Sequence, residues 1–116
     1  MTRMGQRKGL GKADIQPILD ELKAGLQAIY GPRLRQVILF GSYARGEAED
    51  GSDIDVAIVL EDYASVAEER ERTGDLTYRL SFDNDTVIQT LFLREQDALD
   101  PWQPTHVNIR REGVLA

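Results

Sequence analysis

Apolar residues along the chain change period several times, and each change marks an element. Ile15, Ile18, Leu19, Leu22, Leu26 and Ile29 fall at helical spacing, which predicts a helix over 14–30. Asp14 is placed to cap it, Pro17 fits a first turn where the missing N–H does no harm, and Gly31-Pro32 ends it. The continuous run Val37-Ile38-Leu39-Phe40 predicts a strand over 36–40, with Leu34 as an earlier start and both faces buried. Ile54, Val56, Ile58 and Leu60 alternate in a second strand over 54–60, so one parity faces a core. Residues 61–80 read mostly as helix, with Glu61-Asp62 suited to its positive end and a break near Thr73-Gly74. Tyr63, Val66, Ala67 and Arg70 share one side there, and the charged run from Glu68 to Arg72 reads as a solvated face. A turn over 82–85 leads to a third strand over 86–93. A polar connection over 94–102 follows, with Pro101 blocking a continuous helix. A last short helix over 105–112 ends at Gly113, with Val107, Ile109 and Val114 tucking it back. The sum is an α/β (α+β) protein: a small mixed sheet of three to four strands with helices packed mainly on one face.

Length and composition narrow the chemistry. The 116 residues suit one domain, over 13–116, preceded by a mobile arm over 1–12 that is rich in Gly, Lys and Arg. There is no cysteine and one histidine, His106, so thiolate sites, disulfides and histidine-rich metal centres are excluded. A metal here must be held by carboxylates and neutral oxygens, which favours Mg²⁺ or Mn²⁺. The net charge of −6 argues against broad nucleic-acid binding, which needs basic surface to displace counterions. No apolar run is long enough to span a bilayer, and Arg3, Arg7 and Lys8 have no apolar segment behind them, so a cytoplasmic protein is expected. Trp102 and Tyr78 read as core or rim packing rather than as base-stacking platforms.

The candidate chemistry lies between the first two strands. Gly41-Ser42 follows the first strand, ten residues intervene, and Asp53-Ile54-Asp55 opens the second. Side chains two apart on a strand share a face, with Cα atoms roughly 6.5 Å apart. Asp53 and Asp55 could therefore present carboxylate oxygens to two hard cations about 3.5–4 Å apart. Gly41 has no Cβ to keep a phosphate or a neighbouring chain away. Ser42 opens a short turn whose amides could receive a phosphate, and Arg45 adds a fixed positive charge. Glu47, Glu49 and Asp50 read as a solvated loop.

With these residues, Gly41-Ser42 and Asp53-x-Asp55, the sequence resembles the polymerase-beta-like nucleotidyltransferases. The wording Gly-Ser-Tyr-Ala-Arg-Gly and Ser-Asp-Ile-Asp-Val is similar to their minimal nucleotidyltransferase (MNT) branch. The resemblance implies the polymerase-beta nucleotidyltransferase fold and transfer of a nucleotidyl group, AMP above all, from ATP or another nucleoside triphosphate to a protein or small hydroxyl acceptor. Asp53 and Asp55 would be the catalytic, metal-binding acids, and Gly41, Ser42 and Arg45 the nucleotide contacts. It also implies an all-helical HEPN partner in a toxin–antitoxin pair.

The family carries a third acid on the strand after the intervening helix, and the strand over 86–93 contains none. Gln89 or Thr90 stands where it is expected, with Asp83 or Asp85 as substitutes if that strand begins earlier. Gln89 offers a neutral oxygen, which neither balances a second cation well nor accepts a proton. Three readings follow: a Mg²⁺-dependent nucleotidyltransferase, a degenerate module that binds nucleotide or partner without transfer, and an unrelated α/β domain that binds cation or phosphate.

Overall fold

The computed structural model describes residues 9–98, 109 and 111–116. The chain enters through a 3-10 turn, Lys12–Ile15, and continues as helix α1, Gln16–Tyr30. Asp14 fastens that turn: its carboxylate accepts from the Gly11 amide at 2.7 Å. Pro17 sits in the first turn of α1, as its missing N–H requires. Leu19, Leu22 and Leu26 are wholly buried, and Tyr30 rather than Ile29 completes their face. Residues 1–8 of the expected arm lie outside the described residues, and Leu10 pairs with Ala48 as an isolated bridge.

Four strands form one mixed sheet: β1 (Leu34–Phe40), β2 (Ile54–Leu60), β3 (Ile88–Arg94) and β4 (Val114–Leu115), in the order β3-β2-β1-β4. β1 is antiparallel to both β2 and β4, whereas β2 and β3 are parallel. A parallel pair needs a crossover, and helix α3, Val66–Asp83, makes it. A one-turn helix α2, Ser42–Arg45, follows β1, and a second, α4, Glu95–Ala98, follows β3. The short β4 was not foreseen, because two residues present no period. Ile109, Arg111 and Glu112 are helical, in agreement with the helix predicted there; the rest of 105–112, with His106 and Trp102, lies outside the described residues.

Three expectations for 61–80 are corrected. Helix α3 begins at Val66, not Glu61, because Ser65 caps it: its Oγ accepts from the Glu68 amide at 3.2 Å. It also runs through Gly74 unbroken to Asp83. Gly74 costs about 1 kcal/mol of helix propensity, which the buried neighbours Thr73, Leu76 and Leu80 outweigh. The charged run is corrected too. Glu69 is only 1% exposed and accepts from the Tyr30 hydroxyl at 2.7 Å and from Arg72 Nη1 at 3.1 Å. It stands four and seven residues before Thr73 and Leu76, so it belongs to the core face of the helix.

The main core lies between the sheet and the α1–α3 layer, with Leu39, Val56, Ile58 and Leu60 fully buried against Leu22, Leu26 and Leu80. Gly25 permits this closeness: a Cβ there would come within 2.6 Å of Leu76. On the opposite sheet face Ala57, Val59 and Leu93 are buried with Ile109. Thus β2 is dry on both faces from Val56 onward, and only its first end is wet. Among the described residues, no helix is long and apolar enough to cross a membrane.

Candidate active site

The wet end of β2 is where the two predicted acids meet the Gly-Ser turn. Phe40, the last residue of β1, pairs with Asp55. The chain then turns at Gly41, whose φ of 78° and ψ of −157° suit glycine almost alone. A Cβ at this position would overlap Asp55 Oδ2 and lie 3.1 Å from its Cγ. Gly41 therefore brings the backbone of the turn directly onto the Asp55 carboxylate. Helix α2 starts here, with the Ala44 and Arg45 amides both donating to the Gly41 carbonyl at 3.1 Å. The amide of Ser42, its first residue, has no acceptor within the helix. Gly46 closes α2 in the left-handed conformation. The return loop is fixed by Ser52, whose Oγ accepts from the Glu49 amide at 2.8 Å.

Asp53 immediately precedes β2 and Asp55 is its second residue. Across the parallel pair, Asp55 stands in register with Gln89. Gln89 Nε2 donates to Asp53 Oδ2 at 3.3 Å. The structure thus brings Gly41, Asp53, Asp55 and Gln89 together, and places Gln89 where the third acid was sought. Asp83 and Asp85 do not join: among the described residues, no group of three or more acids, histidines or cysteines could hold a metal. Asp85 lies in the turn after α3, on a hollow of about 330 Å³ lined also by Tyr78, Ser81, Phe82 and Thr86. Tyr78 and Phe82 are well exposed and stacked.

The electrostatics favour a cation. Burial pushes the Asp55 carboxyl above its ordinary range, the Asp53 charge pushes it further, and Arg45 partly offsets both. Two carboxylates held together without full compensation are a donor set for a hard divalent ion, and the Cβ-free cradle at Gly41 leaves room beside them. Arg45 is differently placed from its simplest reading. Its guanidinium is held by Glu47 at 2.9 Å and by Glu112 at 3.0 Å. Glu112 was missed in the sequence, and a partner 67 positions away leaves no local signal.

Comparison with known proteins bears on the family and the fold. A family model described as a nucleotidyltransferase domain matches residues 19–109. A Methanocaldococcus jannaschii protein named as a protein adenylyltransferase is 32% identical over 82 residues, covering 71% of this chain and 82% of that protein. The protein adenylyltransferase MntA of Thermococcus cleftensis is 38% identical over 53 residues, 46% of this chain and 52% of that one. Among solved structures, that of a tri-AMPylated Shewanella oneidensis HEPN toxin in complex with MNT antitoxin matches with a TM-score of 0.55 at 20% identity, over 86% of this chain and 69% of that one. A Sulfolobus solfataricus chain described as a nucleotidyltransferase matches with a TM-score of 0.54 at 24% identity, over 92% of this chain and 88% of that one. At such identities the structures speak for the fold, and the sequence matches speak for the family. The chain belongs to the nucleotidyltransferase domain family.

Proposed function

We propose that this protein is a divalent-cation-dependent nucleotidyltransferase that moves AMP from ATP to a hydroxyl of a protein acceptor. The observation that carries the reading is the closure of Gly41 onto Asp55, with Asp53 beside it at the open end of β2. Asp53 and Asp55 would hold Mg²⁺ or Mn²⁺, and the Gly41-Ser42 turn would meet the triphosphate. When bound, the ion neutralises phosphate charge and eases deprotonation of the attacking hydroxyl. In the transfer, the acceptor oxygen bonds to the α-phosphorus while the bond from that phosphorus to the β-bridging oxygen breaks. Pyrophosphate leaves with that electron pair, and the hydroxyl proton passes to solvent. The chain's contribution is a preorganised, negatively charged ion seat and a backbone that admits the phosphates.

The relatives named as protein adenylyltransferases support a protein acceptor. The MNT antitoxin solved with an AMP-bearing HEPN toxin supports a HEPN partner and an antitoxin role. In this reading residues 13–116 are one catalytic domain, 1–12 an arm, and no broad nucleic-acid binding is involved.

The test is transfer of labelled AMP to a co-expressed HEPN protein, with native chain and Asp53→Asn compared. Label on the partner, reduced at least about 100-fold by the substitution, supports the reading; undiminished transfer by Asp53→Asn defeats it. Gln89 at the third-acid position favours a second reading, a module that binds nucleotide without transferring it. Nucleotide binding that needs Asp53, with no label moved to any partner, would select it.

A further inference from the structure

Resting on the proposed nucleotide site, we infer that Gln89 limits it to one divalent cation per bound nucleotide. The strand register fixes Gln89 beside Asp55, and its side chain reaches Asp53 rather than solvent alone. The amide must present Nε2 to Asp53 Oδ2, because the flipped rotamer would set two oxygens against each other. One oxygen of Asp53 is therefore engaged by a neutral donor. Two cations a few ångströms apart need carboxylates that offer separate oxygens to each, plus negative charge enough to hold both together.

That charge is not supplied elsewhere among the described residues. No third acid stands with Asp53 and Asp55. Glu47 and Glu112, the acids nearest the turn in the ion-pair network, are engaged by Arg45. Mg²⁺ also gives up water reluctantly, so a neutral amide oxygen is a poor substitute for a carboxylate. A nucleoside triphosphate arrives with one cation on its own phosphate oxygens. Asp55 and the second oxygen of Asp53 suffice to seat that ion, and among the described residues a second ion finds no anionic group of its own.

The experiment counts bound Mn²⁺ from the electron paramagnetic resonance signal of the free ion. The full chain is saturated with α,β-methylene ATP, which cannot transfer AMP, and Gln89→Glu and Gln89→Ala are run in parallel. The expected counts are one Mn²⁺ per nucleotide in the native complex, one in Gln89→Ala and two in Gln89→Glu. Gln89→Asp, with circular dichroism as the fold control, replaces Gln89→Glu if that variant does not fold. Two ions in the native complex would overturn the inference while leaving the nucleotide site intact. A single ion in a folded acidic variant would also overturn it. No Asp53-dependent nucleotide binding by the native chain would instead defeat the functional reading, and the inference with it.

Discussion

At Gly41 the backbone carries two demands that only the absence of a side chain satisfies. Its φ of 78° with ψ of −157° costs a residue bearing Cβ about 1–3 kcal/mol, and that Cβ would strike the Asp55 carboxylate. Gly41→Ala is therefore expected to lower unfolding free energy by about 1–3 kcal/mol in urea titration and to abolish Mg²⁺-ATP binding in calorimetry. Adding Asp55→Ala should return part of the stability but none of the binding, since only the collision is relieved. Asp55 itself stands under the opposite tension. Burial and the Asp53 charge raise its folded pKa above the ordinary 3.8. The native state then holds that proton more tightly than the unfolded chain does. Stability contributed by this group is thus lost as pH rises from about 3.8 through the raised folded value, and the cost persists at neutral pH. Asp55→Asn is expected to be more stable than native at pH 7, with the gap closing as pH falls through that window. Urea titrations of both proteins across the window measure it. A gap that widens toward acid would contradict the direction of the shift.

Between elements, the decisive contact is the buried Tyr30–Glu69 pair that ties α1 to α3, with Arg72 reaching Glu69 from the exposed side. Burial first, and the hydrogen bond to Glu69 second, push the Tyr30 hydroxyl well above its ordinary value, so it remains a donor at any physiological pH. Tyr30→Phe removes a donor from a carboxylate that is almost wholly buried. It should cost about 1–3 kcal/mol by chemical denaturation, and the pair Tyr30→Phe with Glu69→Leu should cost less than the sum of the two changes. The sequence hid this cluster because Glu69 lies within a charged run, and local composition outweighed its place on the stripe with Thr73, Leu76 and Leu80. What was legible were elements with a long, clean period: α1, β1, β2 and β3. The start of α3 was readable from Ser65-x-x-Glu68, a helix-entry pattern that the acidic pair Glu61-Asp62 obscured. β4 was not readable, since its pairing with Ile38 and Leu39 is settled by tertiary contact rather than by its two residues.

For the whole molecule, the meeting of turn and acids at the candidate site was legible because a turn, a fixed interval and a dicarboxylate must coincide to make it, and Gln89 was located by strand position alone. Charge distribution was less legible. The chain carries a net −6, and Arg45, expected to face the nucleotide, spends its charge on Glu47 and Glu112. An anionic protein with its turn arginine so engaged offers a tetraanionic triphosphate little attraction without a metal. ATP affinity is therefore expected to fall at least about 100-fold when EDTA replaces Mg²⁺, a loss too large for a site that relies on protein cations. Freeing the guanidinium should soften that dependence. In Glu47→Gln with Glu112→Gln, Arg45 is released and two negative charges are removed, so metal-free ATP affinity should rise several-fold while affinity with Mg²⁺ changes little. Calorimetric titrations of both proteins, with and without EDTA, read the two effects separately. Equal gains in both conditions would mean that Arg45 acts on the nucleotide alongside the metal rather than being withheld from it by its two carboxylates.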